Sequence, residues 1–172
     1  MKPFLLGMLT ALLLIVIAAF AYLRLGLAEV RGDIPPSKFE TRLMRAAVHA
    51  SVRRSAPEVA NPIPPSDENL IAGGKLYLGG CSGCHGIPGK SQTVPDGLFP
   101  PSPQLPTAGT AYTEAQVFWV AKHGIRRTGM FSNGLWNSDQ ELWKLAAYIK
   151  RMNNLPPTVK EELAKGNKSG GG

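Results

Sequence analysis

Cysteine is almost missing from this chain: among 172 residues there are two, and they stand three apart at Cys81 and Cys84. A zinc site built on them would need two more ligands, and there is no second cysteine pair to supply them. Charge is also sparse, at 18% of residues, and Lys and Arg never gather into a long run. No nucleic-acid motif accompanies them, so a nucleic-acid partner is not expected. No internal repeat is visible. Gly and Pro together hold 34 positions (19 and 15), which points to compact structure broken by loops rather than to a long helical rod.

What charge there is lies unevenly. The net is +7. Residues 1–65 hold eight basic and four acidic side chains, residues 66–157 eight and six, and the remainder three and two. The excess sits toward the N-terminus, where an anionic membrane surface or an acidic partner could meet it.

One apolar run is long. Phe4 to Leu23 carries no charge and is bounded by Lys2 and Arg24. A helix rising about 1.5 Å per residue over that length spans roughly the hydrocarbon core of a bilayer. The competing reading is a cleaved signal peptide, since Ala19-Phe20-Ala21 resembles a small-x-small cleavage site. Signal cores are usually shorter than this run, which favours an uncleaved transmembrane anchor over residues 1–24. Flanking charges do not orient it, because Lys2 precedes the run while Arg24 and Arg31 follow it.

Residues 25–65 read as a linker. Ser37 and Glu40 fit a capping box that opens a helix from Lys38 to about Arg54. Phe39, Leu43, Ala46, Ala47 and Ala50 fall on one stripe of it, with Lys38, Arg42, Arg45, His49 and Arg53 largely off the stripe. This basic amphipathic helix suits a membrane surface or another subunit; a solvated spacer is the plain alternative. Pro57 ends it near Ala56. The Pro-rich stretch from Pro57 to Pro65 is expected to be stiff and extended. A globular domain is expected over residues 66–157, closed by Pro156-Pro157. Residues 158–172, ending Ser-Gly-Gly-Gly, read as a flexible tail.

The two cysteines acquire meaning from their neighbours. Cys81-Ser82-Gly83-Cys84-His85 is C-x-x-C-H, the attachment signature of c-type haem. Two cysteines at this spacing reach the two vinyl groups of one porphyrin, and the adjacent imidazole projects at the iron. A thioredoxin-type dithiol usually follows a strand, and no strand pattern precedes Cys81. Such haem is attached on the outer side of the bacterial cytoplasmic membrane, which would leave the first residues cytoplasmic and place everything beyond Leu23 outside.

For the other face of the iron the chain offers His49, His123 and five methionines. Met1 and Met8 lie in the anchor, Met44 in the linker helix, and Met152 at the end of the last domain helix. Met130 sits in the loop Ile125-Arg126-Arg127-Thr128-Gly129-Met130-Phe131, between two expected helices. A thioether on a Gly-flanked loop can swing over a porphyrin, and His/Met ligation raises the reduction potential. Met130 is the preferred ligand and His123 the runner-up. A core methionine filling a gap is the plain alternative.

Three helices are expected around the motif. Ser66 caps the first, from Asp67 to Leu78, where Gly73 or Gly74 permits close approach of a crossing helix. Thr113 starts the second, Glu114 to Lys122, ended by a left-handed cap at Gly124. Ser138 and Glu141 box the third, which buries Leu142, Trp143, Leu145, Ala146 and Ile149 on one side.

With CSGCH after a short helix, then GIRRTGM, then a helix holding Trp143 and Tyr148, the segment Ile71 to Asn153 resembles the small bacterial class I cytochromes c. The resemblance covers about half the chain. It implies an all-α domain wrapping one covalent haem c, with Cys81, Cys84, His85 and Met130 as its cofactor-binding residues. It also implies that Gly73 and Tyr77 on the first helix cross Leu145 and Tyr148 on the last. The irregular stretch from Gly86 to Tyr112, with Pro88, Pro95, Pro100, Pro101, Pro103 and Pro106, is expected to wrap the haem edge. One proline carbonyl there would accept the proximal imidazole N–H, and the residues leave open which. Trp136 is expected near a haem propionate or in simple packing.

The function so implied is electron transfer rather than catalysis. The protein would be a respiratory-type carrier tethered to the periplasmic face of the membrane, with other redox proteins as donor and acceptor. Two alternatives stand beside it: a fixed haem subunit of a respiratory or dehydrogenase complex, and a haem enzyme or gas sensor with an open iron.

Overall fold

The computed structural model describes residues 2–89 and 98–168. Met1, Pro95 of the proline-rich stretch and the Ser169–Gly172 end therefore lie outside the described residues. The chain forms two compact units, Met1–Gly32 and Asp33–Gly172. The described residues are helical with no strand.

The first unit is built on α1, Lys2–Arg24. It has 23 residues, is long and apolar enough to cross a membrane, and buries none of its side chains.

The second unit begins with α2, Lys38–Ser55. The Ser37 hydroxyl accepts the Glu40 amide at 3.1 Å, but Glu40 does not reach back, so only half of the expected capping box forms. As expected, Pro57 stops the helix at Ala56, whose backbone is extended. The helix is no solvated spacer: it packs on α6, Glu114–His123, and buries Val52 and Ala56. The Pro-rich stretch after it is also fastened down. Asn61 Nδ2 donates to Glu114 Oε2 at 2.6 Å and to the Trp143 carbonyl at 3.0 Å, and Ile63 packs against the core.

The core is set by three helices: α3, Asp67–Gly80; α6; and α7, Asp139–Arg151. Each starts where a hydroxyl satisfies an orphan amide: Ser66 on Asn69, Thr113 on Gln116, Ser138 on Glu141. The last two are complete boxes. α7 buries seven side chains, and burying each large one contributes roughly 1.5–3 kcal/mol. Phe118 of α6 stacks flat on Trp143 of α7, with ring centroids 4.2 Å apart. Two ion pairs bracket these two helices, Lys122–Asp139 at 2.7 Å and Arg151–Glu114 at 2.6 Å.

α3 and α7 cross in near backbone contact, and Gly73 is the reason they can. A Cβ there would stand 2.2 Å from the Lys144 carbonyl oxygen. Tyr77 and Tyr148 lie beside the crossing, centroids 5.5 Å apart and both fully buried, with Leu145 against them in the core. The crossing implied by the resemblance is thus the observed one. Burial keeps both phenols neutral, raising Tyr148 to about 12 and Tyr77 further still.

Gly74 serves a different neighbour. Where a frayed tail is expected from Thr158, the chain instead forms α8, Pro157–Lys168. Leu155, Val159 and Leu163 recur every four residues and bury themselves against the core. A Cβ on Gly74 would meet the Leu163 methyls at 2.6 Å. The Thr158 hydroxyl donates to Asp67 in the first turn of α3. Pro157 does not close the chain off, because the first position of a helix has no partner for the amide that proline lacks.

Gly73→Ala is expected to destabilise the domain by about 1–3 kcal/mol or more, because the obstacle is backbone and cannot turn aside. Gly79→Ala, in the same helix with nothing within 4 Å, should be neutral or stabilising by up to about 1 kcal/mol. Denaturant midpoints of the two variants check this; equal losses would contradict the close crossing.

Candidate functional site

The site starts where α3 ends. Cys81 closes that helix, and a single further turn, α4, Ser82–His85, turns the chain back. The Ser82 hydroxyl bonds to the Leu78 carbonyl at 2.8 Å and splices the two helices together. Gly86 follows with φ of 92°, a conformation that favours glycine. The buried Tyr77 hydroxyl donates to the Gly86 carbonyl at 2.7 Å, so the helix crossing is wired to the turn below the cysteines.

From the far side, the stretch around α5, Leu105–Ala108, grips the same turn. The Ser102 hydroxyl and the Gln104 amide both donate to the Cys84 carbonyl, at 2.5 and 2.9 Å. His85 Nδ1 lies 2.9 Å from the Pro103 carbonyl oxygen. A carbonyl only accepts, so the proton sits on Nδ1 and the Nε2 lone pair is left for another partner.

The wall around Met130 is made by the loop after α6. Gly124 does not form the expected left-handed helix cap: its φ is 67° but its ψ is −171°. It serves close approach instead, since a Cβ there would lie 2.6 Å from the Met130 carbonyl oxygen. Ile125 N donates to that carbonyl at 2.8 Å, and Thr128 Oγ1 receives the Met130 amide at 3.0 Å. The thioether is therefore carried on a loop pinned at both ends.

These elements enclose one predominantly apolar cavity. Its lining includes Cys81, Cys84, His85 and Met130, with Val117 and Val120 from α6 and Leu145 and Ile149 from α7. Leu98, Pro100, Pro101 and Pro103 cover part of it. The two thiols are free rather than joined in a disulfide. Burial, and then the nearby Cys84, push the Cys81 thiol up to about 11. Two thiols, an imidazole with a free Nε2 and a thioether in one apolar cavity fit a covalently attached porphyrin. Among the described residues no cluster of three or more His, Cys, Asp or Glu suits a bare metal ion.

The rival ligand candidates are elsewhere. His123 is exposed beside the Trp119 ring, centroids 5.1 Å apart, and Met152 is buried in the core; neither lines the cavity. Met44 is exposed on α2. His49 shares a 2.7 Å hydrogen bond with the Tyr112 hydroxyl, and Tyr112 does line the cavity. The linker helix thus touches the cavity wall, a link that nothing in residue spacing announces. Trp136 is 69% exposed, edge-on to Phe131, and lies neither in the cavity lining nor in the core.

Residues 68–149 match the family model described as cytochrome C oxidase, cbb3-type, subunit III. This segment is a class I c-type cytochrome domain. Neither the curated proteins nor the solved structures give a significant match. The cytochrome domain carries covalently bound haem c, and its chemistry is haem-based electron transfer. The match covers the helix crossing, the C-x-x-C-H motif and Met130. It stops before α8, and α2 precedes it.

Gly124→Ala is expected to cost about 1–3 kcal/mol through strain at positive φ and collision with the Met130 loop. Denaturant unfolding of the haem-loaded protein checks it. A wild-type midpoint would show that the loop is not held by this approach.

Proposed function

We propose that this protein is a membrane-tethered one-electron carrier. Cys81 and Cys84 would hold its haem covalently, and His85 and Met130 would be the two protein ligands of its iron. The observation that carries the reading is the shared cavity, in which both candidate ligands stand over apolar walls beside the two thiols. Haem c supplies the redox step, an iron that cycles between ferrous and ferric states.

The chain's own residues supply everything around that step. The Pro103 carbonyl orients the His85 ring and increases its basicity as a ligand. The pinned loop from Ile125 to Met130 presents a thioether rather than a harder ligand, which favours the reduced state and raises the potential. Val117, Val120, Leu145 and Ile149 exclude water, so that little solvent reorganises when charge changes. If His85 and Met130 both held the iron, no place would remain for oxygen or peroxide to bind, which would set the carrier apart from a haem enzyme or gas sensor.

α1 is the tether. Because c-type haem is attached outside the cytoplasmic membrane, the domain would face the periplasm with the first residues of the chain in the cytoplasm. Its donor and acceptor are redox proteins. A second reading makes the chain a fixed haem subunit of a respiratory complex, and the family model's description favours it, since it names an oxidase subunit. Gentle detergent solubilisation separates the two: a free carrier purifies alone, and a subunit brings stoichiometric partners.

Met130→Ala tests the ligand assignment. It should abolish the weak near-infrared sulfur-to-iron band of the ferric protein while leaving the haem covalently attached. A retained band would mean that another side chain holds the sixth position.

A further inference from the structure

α2 has two apolar faces, and among the described residues only one of them is packed against the rest of the protein. Thr41 and Val48 are half-buried and Val52 and Ala56 buried on the side turned to the haem domain. The stripe formed by Phe39, Leu43, Ala46, Ala47 and Ala50 lies about half a turn away, at about 100° per residue. Every residue of that stripe is exposed, Phe39 to 77% and Leu43 to 56%. The helix is also strongly basic: Lys38, Arg42, Arg45, Arg53 and Arg54 stand against Glu40 alone. None of these five cations forms a salt bridge among the described residues.

We propose that this outer face of α2 lies on an anionic phospholipid surface, the stripe dipping below the headgroups and Arg42, Arg53 and Arg54, the cations beside it, bonding to phosphates. The inference rests on the tether reading above and deepens it. Three observations choose lipid over a protein partner. Only residues 25–37 separate α1 from α2, a reach of at most about 45 Å at ~3.5 Å per residue, so the helix stays near the membrane that α1 spans. The stripe is shallow, one Phe and one Leu among three alanines, which suits insertion at a headgroup boundary more than the filling of a protein pocket. Long basic side chains at its borders can lay their stems over the acyl boundary and keep their charges at the phosphates.

The consequence concerns the haem. α2 is packed on α6 and bonded through His49 to Tyr112 of the haem cavity wall. A lipid-seated α2 would hold the cavity at a set orientation close to the membrane, where a membrane-embedded partner could receive the electron.

The test uses the full-length, haem-loaded protein, kept reduced so that the iron is diamagnetic. A nitroxide is placed at Leu43→Cys or, off the stripe, at Ser55→Cys; the native cysteines are consumed by the haem. Each variant is reconstituted into vesicles of phosphatidylcholine with phosphatidylglycerol, or of phosphatidylcholine alone. Relaxation by dissolved oxygen is compared with relaxation by a water-soluble nickel chelate. In the anionic vesicles oxygen should dominate at position 43 and the chelate at position 55. In phosphatidylcholine alone the ratio at 43 should shift toward the chelate. A label at 43 that favours the chelate in both vesicles overturns the proposal. So does an equal lipid signature in both, which would remove the role of charge. A label shielded from both reagents only in native membranes would replace lipid with a protein subunit. Haem released by an alkaline wash overturns the tether and this proposal together, whereas retention with a water-exposed label overturns this proposal alone.

Discussion

The arrangement depends on one contact: the crossing of α3 over α7 at Gly73, where the absence of a side chain lets one backbone lie against another. That closeness seats Tyr77 against Tyr148, and Tyr77 then reaches the carbonyl of Gly86 just below the C-x-x-C-H turn. The position of the cysteines and of His85 is thereby inherited from a helix crossing, not from a loop. The same two glycines divide their work, Gly73 admitting the α7 backbone and Gly74 admitting Leu163 of α8. A short helix with little side-chain bulk at its centre can in this way be clasped by two partners.

The second constraint is the satisfaction of backbone carbonyls around the site. Those of Cys84, Gly86 and Pro103 each meet a specific side chain: Ser102 with Gln104, Tyr77, and His85. These bonds hold the turn and the His85 imidazole in one geometry, and among the described residues no Lys, Arg, Asp or Glu lines the cavity. An apolar surround of that kind suits an iron whose charge changes by one unit and whose surroundings should not reorganise with it.

Much of this was legible in residue patterns, and for physical reasons. Ser66, Thr113 and Ser138 each stand where a helix needs a hydroxyl, and the apolar run of α7 has a clear helical period. The spacing of Gly73, Tyr77, Leu145 and Tyr148 carried the crossing through the family resemblance. Other features were legible only in part or not at all. The resemblance implied a proline carbonyl as the partner of His85, but every proline in the stretch owns one, so the choice of Pro103 stayed open. α8 was hidden because Pro156-Pro157 resembles a stop and the tail beyond is polar, although Leu155, Val159 and Leu163 repeat every four residues. In α2 the conspicuous stripe drew attention to Phe39 and Leu43, while the face that packs on the domain is the sparser one with Val48, Val52 and Ala56. Only tertiary contact distinguishes a face used within the protein from one left for an outside surface.

The central proposal is a closed haem centre, in which His85 and Met130 would both hold the iron. Carbon monoxide addresses it most directly, because it binds ferrous haem only where a coordination position is open or readily vacated. Added to the reduced full-length protein at neutral pH, it should leave the visible spectrum unchanged on the time scale of mixing. Rapid formation of a carbonyl spectrum would contradict the account and return the protein to the class of haem enzymes and gas sensors.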